Sequence, residues 1–200
     1  MKDMIKDALI LFAITVIAGL ALGGVYEITK EPISLAKEAA AKEAYKEVFA
    51  QADSFDEIGA ISEADINDLT ENGFSDVSID SVLTAKDSSD EMLGYVILVT
   101  SHAGYGGDIT FTMGVTNDGT LNGISILSIS ETAGLGMRAE EVLKPQFANK
   151  NVESFTVTKT GATSDAQIDA ISGATITSKA VTNAVNAGLY YFNNKLGGAN

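Results

Sequence analysis

An α+β fold is what this 200-residue sequence predicts, with an N-terminal transmembrane helix followed by an antiparallel β-meander flanked by helices. Three observations carry that reading. Residues 8–26 are uncharged; short apolar or alternating runs follow one another from Asp76 to Ser130 with turn residues between them; and Ala180, Val181, Ala184, Val185, Gly188 and Leu189 recur at helical spacing near the end of the chain.

The uncharged stretch, at ~1.5 Å per residue, makes a helix of roughly 28 Å, close to the hydrocarbon thickness of about 30 Å. It is longer than the ~7–15 apolar residues of a secretory signal peptide, so a membrane anchor over residues 1–28 is expected. Lys2 and Lys6 precede the span and Lys30 follows it, a small bias toward a cytoplasmic N-terminus. A second helix is expected to begin near Pro32, a residue suited to a first turn. Over residues 29–50 it forms a stalk whose apolar side is Ile33, Leu35, Ala36, Ala40, Tyr45, Val48 and Phe49. Residues 51–200 then form the domain.

Within that domain the expected strands are residues 77–85, 93–102, 108–116 and 121–130. Asn117, Asp118 and Gly119 mark a hairpin turn. Two short helical stretches follow, near 138–143 and 145–148, then the strand SFTVTK, a polar loop and the last helix. Most of the acidic excess lies in residues 51–100, where Lys86 is the sole base. Those acids lack the spacing of a calcium loop, and Asp65, Asp68 and Glu71 read as solvated helix surface.

Composition excludes several classes of function. A net charge of −14 repels phosphate backbones, so no nucleic-acid partner is expected. The absence of cysteine excludes disulfides and iron–sulfur ligation by this chain. His102 is the only histidine, and without a second ligand no metal site is expected. GLGMRA, from Gly134, matches a variant dinucleotide fingerprint, but hairpins rather than a parallel βαβ unit surround it, and nicotinamide binding is not expected.

The stretch DAISGATITS, Asp169 to Ser178, reads as the seat of an esterified phosphate. Gly173 and Ala174 leave the backbone bare, Thr175 offers a hydroxyl, and the following helix directs its unpaired N–H groups at the same spot. The alternative is that Ser172, Thr175, Thr177 or Ser178 simply caps that helix. Two further segments invite attention. Gly104, Tyr105, Gly106 and Gly107 lie between strands, where they either turn the chain or admit a flat ring, and ETAGLG, Glu131 to Gly136, raises the same question.

Asp169, Ser172, Gly173, Ala174 and Thr175 resemble the flavinylation motif D-x-x-S/T-G-A-T. A GYGG loop, an E-T-x-G-L-G turn and a terminal SGAT in this order are similar to the FMN-binding subunits of two related complexes. These are the Rnf ion-translocating complex, whose G subunit the chain resembles, and the sodium-translocating NADH:quinone reductase, whose C subunit is similar. Ala133 departs from the proline common in that family's turn.

The resemblance implies an extracytoplasmic FMN-binding domain with FMN joined to Thr175 by a phosphoester bond, made by a separate flavin transferase that uses FAD and magnesium. It implies Glu131, Thr132, Leu135 and Gly136 beside the isoalloxazine or ribityl chain, with Tyr105 and Gly106 nearby. Lys159 is either a cation near the flavin N1 and C2 carbonyl or a surface lysine at a strand end. The implied role is electron relay within a ferredoxin:NAD⁺ oxidoreductase that translocates sodium ions or protons, in contact with its other membrane subunits. The quinone-reductase subunit is the alternative, and a cofactor-free membrane-anchored assembly module is the alternative of another class.

Overall fold

The computed structural model describes residues 2–59 and 61–197 and divides into two units, Met1–Ala41 and Lys42–Asn200. The first unit is helical. It is the greater part of α1, Lys2–Val48, which contains a stretch long and apolar enough to cross a membrane. No separate helix begins at Pro32, contrary to expectation: the proline sits inside α1. A proline costs the helix one backbone bond and crowds the preceding turn. In the turn before it, the Thr29 hydroxyl donates to the Val25 carbonyl at 2.9 Å. Ile33 and Leu35, placed on a packed side by sequence, are exposed.

The second unit is built on a five-stranded antiparallel sheet whose spatial order is the chain order. Its strands are β1 Ser54–Glu57, β2 Val77–Lys86, β3 Met92–Ser101, β4 Ile109–Thr116 and β5 Leu121–Ser128. The last four fall where alternation places them. β1 is an addition, a four-residue edge strand too short to show a period. In the β4–β5 turn only Gly119 takes a positive φ, 84°.

After the sheet come a 3₁₀ turn at Gly136–Arg138, helix α3 at Ala139–Val142 and a second 3₁₀ turn at Lys144–Phe147. Strand β6, Thr156–Thr158, then pairs in parallel with β7, Gln167–Asp169, a partner the sequence does not reveal. The helix α4, Thr175–Lys195, follows directly.

α4 lies on one face of the sheet, where Phe111, Met113, Ile97, Val181, Val185 and Leu189 share a dry core. The close approach is made at Gly188, where a Cβ would stand 2.1 Å from the Met113 sulfur. At its far end Lys195 reaches Asp65 at 3.3 Å and Asp68 at 3.0 Å, both on α2, Glu63–Glu71. Those two acids are therefore partly buried anchors rather than plain solvated surface.

Within the second unit the last turns of α1 cover the opposite face. Val48, Phe49 and Ala52 pack with Leu83, Ala85 and Val96. Gly114 makes room, since a Cβ there would meet the Val48 Cβ and carbonyl oxygen at 2.9 Å. Asn122 donates to the Val48 carbonyl at 2.9 Å, and Lys144 pairs with Glu47 at 2.5 Å.

Burial works to push the Glu47 carboxyl up, but hydrogen bonds from Lys144 and Ser125 and the Lys144 charge outweigh it and hold the carboxyl below its ordinary range. A lowered folded value means that Glu47 stabilises the fold above its unfolded pKa, about 4.3, and ceases to as pH falls through the folded value. The Glu47 side chain is 47% exposed, so the effect is modest, up to about 1 kcal/mol. Thermal unfolding of the wild type and Glu47→Gln against pH is expected to show a stability gap at pH 6–7 that closes in acid.

Candidate functional site

The turn into α4 is fixed from inside. Ser178, fully buried, donates its hydroxyl to the Ala174 carbonyl at 2.9 Å and accepts the Ile171 N–H at 3.0 Å. The Ala174 N–H closes on the Ile171 carbonyl at 3.0 Å. Gly173 takes φ 79°, the left-handed region that glycine occupies without strain. Ala174 stands at the N-cap, and no side chain caps the helix. The alternative reading of the motif, a hydroxyl that caps α4, is thus not met. The first N–H groups of α4 have no acceptor within the helix, which makes this end receptive to an anion.

A cleft of about 520 Å³ opens there. Gly173, Ala174, Thr175, Ile176 and Thr177 line one side, and Tyr105, Glu131, Thr132, Leu135 and Gly136 the other. Thr175 is half-buried, and its hydroxyl has no hydrogen-bond partner among the described residues. Thr177 is 1% exposed, against the Gly136 backbone.

Glu131 joins the two loops. It is 9% exposed, and its Oε1 accepts the Tyr105 N–H at 2.7 Å and the Gly106 N–H at 3.3 Å. The glycines serve this packing. A Cβ on Gly106 would stand 2.1 Å from the Ser130 carbonyl oxygen, and one on Gly136 would stand 2.6 Å from the Glu131 Cβ. Tyr105, 71% exposed, with Ile176 and Leu135, gives the cleft an apolar rim.

Four sequence-predicted residues lie off the cleft wall. Gly106 contributes only its N–H to Glu131. Ser172 is exposed in the turn, and Asp169 ends β7, where Gln146 clamps its backbone through bonds of 2.7 Å and 3.1 Å. Lys159 is an exposed lysine at the end of β6, the second of the two readings its place in the sequence allows, and it lines neither this cleft nor the adjoining one. The cation beside the clefts is Lys179, one helical turn beyond Thr175. Its i+4 relation to the motif threonine is the signal that would have found it. Among the described residues no group of acids and histidine is arranged to hold a metal.

The FMN-binding domain family model matches residues 104–190, a span that holds both loops of the cleft and the head of α4. The RnfG N-terminal region model matches residues 1–48. The G subunit of the Na⁺-translocating ferredoxin:NAD⁺ oxidoreductase complex of Acetobacterium woodii is 32% identical over 196 residues, 96% of this chain and 93% of that one. Its counterpart in the ion-translocating oxidoreductase complex of Methanosarcina acetivorans is 31% identical over 95% of both chains. The crystal structure of NqrC from Shewanella oneidensis superimposes with a TM-score of 0.50 at 17% identity, covering 72% of this chain and 82% of that one, a likeness of fold. This chain belongs to the G-subunit family of ion-translocating oxidoreductase complexes.

Glu131→Ala is expected to free the Tyr105 and Gly106 amides. Losing buried hydrogen bonds of this kind costs about 1–3 kcal/mol. Hydrogen exchange should accelerate at residues 104–107 and 131–136 while the β2–β3 amides keep their protection; unchanged exchange in the two loops would remove Glu131 from this role.

Proposed function

We propose that this chain is a membrane-anchored flavoprotein subunit that carries FMN through a phosphoester at Thr175 and relays electrons within an ion-translocating ferredoxin:NAD⁺ oxidoreductase. The observation that carries the reading is the position of Thr175, whose unpartnered hydroxyl lines the cleft at the start of an uncapped helix, in the register of the flavinylation motif. Its neighbours support the same choice. Ser178 has its hydroxyl committed at both ends, and Thr177, although it borders the cleft, is 1% exposed where Thr175 is half-buried.

The residues fit the group. N–H groups at the head of α4 would meet the phosphate, and an anion there is favourable by about 0.3–1 kcal/mol or more. Leu135, Ile176 and Tyr105 would shield a flat ring from water, while Glu131 keeps the two loops together. When bound, the isoalloxazine supplies reversible electron transfer; the protein supplies its position and surroundings. A covalent link suits a domain outside the cytoplasm, where released FMN would be lost. Other membrane subunits of the complex would exchange electrons with it, and a flavin transferase would load it. The likeness to NqrC reaches the fold alone, so the G-subunit assignment is preferred to the quinone-reductase one.

Residues 1–28 serve as the anchor in this reading, and a stalk runs from residue 29 to residue 50, its last turns joined to the FMN domain. The small lysine bias sets the N-terminus in the cytoplasm and the domain outside it.

Mass spectrometry of a chain expressed with a flavin transferase is expected to find FMN on the peptide containing Thr175 and none in Thr175→Ala, with the fold retained. FMN on Thr177 or Ser178 would overturn the residue assignment. For topology, a C-terminal alkaline phosphatase fusion is expected to be active and a green fluorescent fusion dark; the reverse pattern would sink the extracytoplasmic placement.

A further inference from the structure

A second cleft of about 520 Å³ adjoins the first and shares Ile176 with it. Its floor is α4. Thr175, Lys179, Thr182 and Asn186 follow one another at i+4, i+3 and i+4, so the face that floors this cleft begins at the motif threonine itself. Phe155, Val157 and Ala180 make the rest of the cavity largely apolar.

Thr182 marks it as a site. A helical threonine ordinarily returns its hydroxyl to the carbonyl four residues back. Thr182 is 3% exposed and carries the one buried side-chain oxygen with no hydrogen-bond partner among the described residues. Such a group is costly to leave unpaired, so an arriving partner would be rewarded. Lys179 is exposed and has no ion pair among the described residues, and the half-buried Asn183 amide is likewise unbonded. Asn186 is not available, because both ends of its amide hold the Phe155 backbone, at 2.7 Å and 2.9 Å.

The chemistry offered is an apolar slot with a hydroxyl, an amide and an ammonium along one wall. That suits a planar heteroaromatic ring with one apolar edge and one edge of carbonyl and N–H groups. We propose that this second cleft is an alternative seat for the isoalloxazine of the flavin joined at Thr175, so that a single tether serves two cradles on either side of Ile176. The proposal rests on the FMN reading above. The reach is adequate: the seven residues from Thr175 to Thr182 rise about 10 Å along the helix, within the span of a phosphate and a ribityl chain. In the first cleft the ring would lie beside Tyr105, in the second beside Phe155 and the Lys179 charge.

The two seats are distinguishable by light. Excited flavin is quenched by electron transfer from tyrosine and not from phenylalanine, and the chain has no tryptophan to confuse the signal. Time-resolved fluorescence of the full flavinylated chain should therefore give two lifetimes. Tyr105→Phe is expected to lengthen the short one alone. Asn183→Phe, which fills the second cleft, should reduce the amplitude of the long one several-fold. Thr182→Val keeps the side-chain shape and removes a hydroxyl that bonds nothing, so it should lower the same amplitude without lowering the melting temperature. A single lifetime, or a long component indifferent to both Asn183→Phe and Thr182→Val, would overturn the second seat while leaving the FMN reading standing. Mass spectrometry showing no flavin on Thr175 would overturn both.

Discussion

The site depends on one buried hydroxyl. Ser178 holds the Ile171 N–H and the Ala174 carbonyl at once, and so draws the chain into a turn that exits directly into α4 without a capping side chain. Had Ser178 stood outside and capped the helix, its oxygen would have occupied the donors that now face the cleft. A helix end left unsatisfied is ordinarily a defect. Here it sits beneath a cavity bounded by two glycine-containing loops, where a ligand can complete it.

Those loops obey a constraint of space more than of flexibility. Gly106 and Gly136 are glycine because a backbone carbonyl and the Glu131 side chain occupy the positions a Cβ would need. Glu131 then finishes the contact by accepting two amides from the loop opposite. The arrangement joins segments some 25 residues apart in sequence, with the separation of Gly106 and Glu131 as the measure. In the sequence the two loops read either as turns of the chain or as openings for a flat ring; packing shows them first as a mutual lock.

Legibility followed the range of the interactions. The four long strands showed themselves through alternation and turn residues, which are local signals, and α4 through its apolar repeat. β1 and β7 did not, since strands of four and three residues carry no readable period and are defined by partners elsewhere in the chain. Pro32 misled because its preference for a first turn is real but weaker than continuation of a long helix. Within the site, the motif located Thr175, and the family resemblance located Glu131 and Leu135. Lys159 was chosen by nearness in the chain to the polar loop, while Lys179, hidden within a helix, owes its position to a turn of α4. Thr182 was invisible for a similar reason, as an unpaired hydroxyl is a property of surroundings and not of spelling.

The head of α4 follows every strand of the sheet in the chain, whereas the loops that face it are made earlier. During synthesis the meander can close strand by strand, each pairing bridging a short connection. The wall carrying Thr175 can be added only when the C-terminal segment emerges and Gly188 settles over Met113. The Thr175 hydroxyl is thus presented in the cleft only once the C-terminal helix has docked. A modifying enzyme that recognised the cradle would proofread the fold in the act of loading it.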